Sequence, residues 1–154
     1  MLDPEHKLKL LVANRPWETE PDNAEWEDKV TGYKCRITRH DKFKHLCGYV
    51  GIPNNHPSWG KNYNDVDVQV HGGLTFSEAD DDDKLTWWFG FDCAHAGDIS
   101  PELLISLIDI DRYTPDRTEV YRTWDYVENE VRELVRQLRD EDSLANQIPN
   151  FRKP

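Results

Sequence analysis

Hydrophobic and polar residues follow a strand period in several stretches of this chain and a helical period near its C-terminal end. Residues 33–38 and 46–52 read as two strands of a long hairpin, joined by a basic loop that carries His40 and His45. Residues 66–76 begin with a clear alternation, with Val66, Val68 and Val70 on one side and Asp67, Gln69 and His71 on the other. Gly72 and Gly73 interrupt that alternation, which predicts a bulge or a close backbone approach. Residues 85–91 are apolar on both faces, as in a central strand covered on both sides. The acidic run at residues 80–83 separates these two segments and predicts a hydrated hairpin loop between antiparallel strands. A calcium loop is the competing reading of that run, but consecutive carboxylates lack the required spacing and glycine.

Helical signals follow. Ser100 and Pro101 open a helix over residues 101–110, with Ser as the cap and Pro in the first turn. Thr123 caps a stronger helix whose residues Trp124, Val127, Val131, Leu134, Val135 and Leu138 form one apolar stripe. Residues 119–122 add a short edge strand, and the tail beyond Asp142 reads as loose or as lying along a neighbour. These elements predict one α+β domain over residues 1–154, an antiparallel sheet packed against one or two helices. The ordered core is placed at about residues 30–140, with the N-terminal segment and the tail peripheral.

The composition changes this picture in three ways. A formal charge of −11 argues against a broad grip on long nucleic acid, which needs basic side chains to replace counterions. It leaves room for a small pocket in which Arg36, Arg39, Lys44 or Lys61 holds one anion. Cys35, Cys47 and Cys93 lie at wide spacings without a C-x-x-C pair, so free thiols in a reducing compartment are expected. No apolar run approaches a bilayer span, and acids precede bases at the N-terminus without a cleavage site. A cytoplasmic location and no membrane partner follow as expectations.

Candidate chemistry gathers where the dense strand ends, in FDCAHAGD. Asp92, His95 and Asp98 stand three apart, and His71 lies on the neighbouring predicted strand. Such a set suits a hydrolytic metal, with turn capping and backbone hydrogen bonds as the competing structural reading, which is favoured. In HGGLT, the Gly72-Gly73 backbone amides suit a phosphate or carboxylate; a plain bulge is the alternative. Trp59 and Lys61 sit in a loop rich in Pro, Asn and rings, able to close over a ligand and stack on a base. Trp87 and Trp88 must face opposite sides of their strand, so one enters the core while the other meets the pocket or a helix, and Trp88 is taken as the pocket candidate. Cys93 beside Asp92 carries no flanking signal of an activated thiol.

The blocks CGYVGIPNNHPSWG, DVDVQVHGGLTFSE, WWFGFDCAHAGD and YRTWDYVENEVRELVRQL, in this order, resemble a widespread set of small proteins encoded by bacteriophages and prophages. The resemblance covers roughly Cys47 to Leu138. It implies a setting in which small accessory proteins counter host defence, by analogy of context and not of site. The expected function is a non-enzymatic sponge for a nucleotide-derived immune signal, an ADP-ribose derivative or a cyclic oligonucleotide, held by Trp59, Lys61, His71, Gly72, Gly73, Trp88, Asp92 and His95. It needs no cofactor and is expected to form a homo-oligomer. Two alternatives stand beside it: a metal-dependent phosphodiesterase using His71, Asp92, His95 and Asp98, and an acidic inhibitor of a basic host protein.

Overall fold

The computed structural model describes residues 3–109 and 119–147. A short helix α1 (Pro4–Asn14) and a single turn α2 (Pro16–Thr19) precede five strands: β1 (Asn23–Glu27), β2 (Lys34–Arg39), β3 (Leu46–Pro53), β4 (Phe76–Ala79) and β5 (Thr86–Asp92). Helices α3 (Pro101–Asp109) and α4 (Trp124–Gln147) follow. The strands form one antiparallel sheet in the order β1-β2-β3-β5-β4. The protein is thus a single α+β unit, as the hydrophobic pattern predicts. Among the described residues no helix is long and apolar enough to cross a membrane.

Alternation within the strands decides which face is covered. Ile37, Leu46, Val50, Ile52, Phe89 and Phe91 are almost wholly buried on the face that meets α4. The helix supplies the opposing layer with Val127, Val131, Leu134, Val135 and Leu138, the predicted stripe. Burying one such side chain stabilises the fold by about 1.5–3 kcal/mol. Gly48 allows the close approach: a Cβ there would lie 2.5 Å from Phe91 and 2.8 Å from Val131. Thr123 caps α4 as predicted, its Oγ1 accepting from the Tyr126 amide at 3.2 Å. The helix continues past Leu138 and Asp142 to Gln147, burying Ala145, so this part of the expected loose tail is regular structure. The remaining tail lies outside the described residues, as do Ile110 and the segment 111–118.

Two strand expectations are corrected. Residues 66–70 form no strand and belong to no sheet; the strand of that segment starts after the glycines, at Phe76. Val66, Val68 and Val70 do pack against the core as their alternation requires. The missing strand partner is replaced by a side chain: the Gln69 amide donates to Gln137 Oε1 at 2.7 Å, and Gln137 Nε2 donates back to the Gln69 carbonyl at 2.8 Å. Periodicity reports which side is buried, not what pairs with the backbone. Residues 119–122 likewise form no edge strand, only an isolated parallel bridge between Val120 and Asp98.

The N-terminal segment is less peripheral than expected, because β1 completes the sheet. Trp17 is buried and packs edge-on against Tyr121, with ring centroids 5.3 Å apart. Glu20 accepts from the Trp124 amide at 2.9 Å and from the Tyr121 hydroxyl, so a residue 104 positions earlier caps α4. It also meets the Arg39 guanidinium, whose side chain is 3% exposed.

Candidate functional site

The C-terminal end of β5 delivers the chain into a short loop from Asp92 to Asp98, and three further segments converge on it. Gly72 and Gly73 both adopt left-handed backbone, with φ of 68° and 81°, so the chain reverses right after His71. The Gly73 amide closes that turn on the Val70 carbonyl at 2.9 Å. It is therefore engaged within the turn, which limits the anion cradle read from the sequence. Gly72 also lies flat against the His95 ring, where any Cβ would collide. The pair of glycines is accounted for by a turn and a close contact.

Asp98 is the centre of the cluster, with its side chain 1% exposed. Its Oδ2 accepts from His71 Nε2 at 2.7 Å and from the His95 amide at 3.1 Å. Its Oδ1 accepts from Arg122 Nε at 2.9 Å. Burial works against the charge of Asp98, but the bonds from Arg122, His71 and the His95 amide outweigh it and hold the carboxyl below the usual carboxylate range. An ionised Asp98 accepts from His71 Nε2, and His71 Nδ1 lies 2.8 Å from the Tyr126 hydroxyl, within hydrogen-bond reach. The Arg122 guanidinium lies 5.0 Å from the centre of the Tyr126 ring, and its hydrogen bond to Asp98 raises its own pKa. A carboxylate, an imidazole, a phenol and a guanidinium thus satisfy one another beneath the surface.

The outer part of the cluster is less complete. His95 and Asp92 side chains are each about a third exposed, and Thr75 Oγ1 donates to Asp92 Oδ2 at 3.1 Å. His95 Nε2 comes within 3.3 Å of Asp92 Oδ1 but lacks the alignment of a hydrogen bond, and this buried nitrogen has no partner. The His71 and His95 rings are 6.1 Å apart. His71, Gly72, Asp92, His95 and Asp98 therefore do share one site.

The other candidates lie elsewhere. Trp59 packs its ring 5.5 Å from Trp87 and donates its Nε1–H to the Leu85 carbonyl at 2.9 Å. The Lys61 carbonyl accepts from Trp87 Nε1 at 3.0 Å. Both residues thus sit at the N-terminal end of β5, about 20 Å from Asp92 along a strand that rises about 3.3 Å per residue. Trp88 is on the opposite sheet face, where its Nε1 donates to Asp80 Oδ1 at 2.8 Å. A single pocket that unites all eight residues is not formed. Among the described residues no group of three or more His, Cys, Asp or Glu side chains is placed to hold a metal ion. His71 and Asp98, two of the four ligands of the hydrolytic alternative, bond to each other instead. Burial pushes the Cys93 thiol far up, which removes it as a nucleophile.

Sequence reasoning missed Arg122 and Tyr126. They lie 24 and 55 residues from their partners Asp98 and His71, and neither breaks the local pattern. Comparison with family models, curated proteins and solved structures finds no match to this chain. The resemblance to phage proteins accordingly rests on the four sequence blocks alone.

Proposed function

We propose that this chain is a binding protein that captures a small nucleotide-derived molecule at the His95–Asp92 rim and holds it chemically unchanged. The observation that carries the reading is the contrast within one cluster. Asp98, His71 and Tyr126 spend their hydrogen bonds on each other, so these inner groups offer little free hydrogen-bonding capacity to a ligand. His95 Nε2 is buried without a partner beside a carboxylate and a hydroxyl, polar groups suited to ribose or base edges. Arg122, a quarter exposed and bonded to Asp98, is the cation of the cluster available to phosphate. Joined to the phage resemblance, this supports a sponge for an immune signal, an ADP-ribose derivative or a cyclic oligonucleotide, acting in the cytoplasm of an infected host cell.

Calorimetric titration with both ligand classes tests the proposal, followed by heat denaturation and mass spectrometry of what is released. Capture of intact ligand by the wild type, reduced at least about tenfold in His95→Ala at unchanged melting temperature, is the expected result. Cleaved product, or turnover lost with EDTA and restored by Mn²⁺, would replace binding with phosphodiester hydrolysis.

A further inference from the structure

The sheet face turned away from α4 carries a second feature that the His95 cluster does not explain. A groove of about 580 Å³ runs between β1, β2 and the β4–β5 hairpin. Its walls present Glu25, Glu27, Asp80, Asp82 and Asp83. Only Lys34 and Arg36 oppose them, and both are paired within the groove: Lys34 with Asp83 at 3.2 Å, Arg36 with Glu25 at 2.5 Å. Trp88 forms the floor, 4% exposed despite facing away from the core. It is covered by the Arg36 guanidinium, 4.2 Å from the ring centre and 3.9 Å from Asp80.

Carboxylates flanking an indole floor form a site for a guanidinium, since the ring face and the acids attract the same cation. Here the chain fills that site with its own arginine. We propose that this groove is a docking surface for an arginine-rich segment of a partner protein, whose guanidinium takes the place of Arg36 over Trp88. Charge complementarity identifies the occupant. The walls hold an excess of acid after internal pairing, and the net charge of −11 steers a basic segment toward the molecule. An anionic ligand would meet repulsion on the same walls.

A fluorescently labelled oligoarginine peptide, titrated at about 0.15 M salt, is the probe. Saturable binding is expected, weakened at least about tenfold by Glu27→Lys with Asp82→Lys, both exposed positions. Arg36→Ala, which vacates the ring and removes the competing cation, is expected to tighten binding several-fold. The control pair Asp65→Lys with Asp67→Lys makes the same change in net charge outside the groove and is expected to leave binding nearly unchanged. Absence of saturable binding, or equal weakening by the control pair, overturns the proposal. So does weaker peptide binding by Arg36→Ala, or a nucleotide that competes for the groove.

Discussion

A side chain at position 72 has to satisfy two constraints at once: left-handed backbone and the face of the His95 ring. Position 73 has the same backbone requirement, but a Cβ there meets nothing within 4 Å. Gly73→Ala is therefore expected to cost about 1–2 kcal/mol, the strain of the left-handed conformation. Gly72→Ala adds overpacking and is expected to cost about 2–4 kcal/mol. Urea unfolding of the two variants checks the difference; equal losses would show that the His95 contact gives way freely. Asp98 supports a second test. Its folded pKa is depressed, so its contribution to stability is full above the unfolded value of about 3.9 and is lost as pH falls through the lower folded value. Asp98→Asn is expected to cost about 3–5 kcal/mol at neutral pH, with the gap to wild type closing below about pH 4. A gap independent of pH would show that geometry, not charge, holds the network. At this scale the sequence exposed part of the cluster. His71, Asp92, His95 and Asp98 stood out because polar groups next to a dense apolar strand are conspicuous. Arg122 and Tyr126 were hidden because they look like ordinary residues at the start of an amphipathic helix.

Among the elements, the start and the buried stripe of α4 were legible, because a stripe repeated over four turns has one physical solution, whereas its end at Gln147 was not. The strands β2, β3 and β5 were legible for the same reason, as runs dense enough to be buried. The failures came where alternation was short or ambiguous. In β1 only Ala24 and Trp26 face the covered side, too few to separate a strand from a loop. Residues 66–70 alternate well, yet they lie against α4 through Gln137 instead of pairing with β5. Helix and sheet pack closely at Gly48, where an added Cβ would collide with Phe91 and Val131. Gly48→Ala is expected to lower stability by about 1–3 kcal/mol through displacement of Phe91 and Val131. A double variant with Val131→Ala should recover part of that loss, because the vacated methyls give the new Cβ room. Additive losses in the denaturation midpoints would place the strain elsewhere.

At the scale of the whole molecule, the N-terminal segment ties sheet, helix and site together, a role that its polar composition conceals. Glu20 binds the α4 amide at Trp124 and the buried guanidinium of Arg39, while Trp17 covers Tyr121. Tyr121 directly precedes Arg122, which reaches into the Asp98 network, so the lock formed by Glu20 sets the position of the site. The preceding helix α1 is largely exposed along its described side chains. Deleting residues 1–14 is therefore expected to shift the melting temperature by only a few degrees, about what a loss under 1 kcal/mol produces. Glu20→Ala removes an N-cap worth about 1–2 kcal/mol and leaves Arg39 buried with a weaker partner, so it is expected to cost about 3 kcal/mol or more. It should also speed hydrogen exchange at the start of α4 and in the loop from Asp92 to Asp98, although neither contains the substituted residue. Exchange that accelerates only around residue 20, with the loop unchanged, would separate the N-terminal lock from the site.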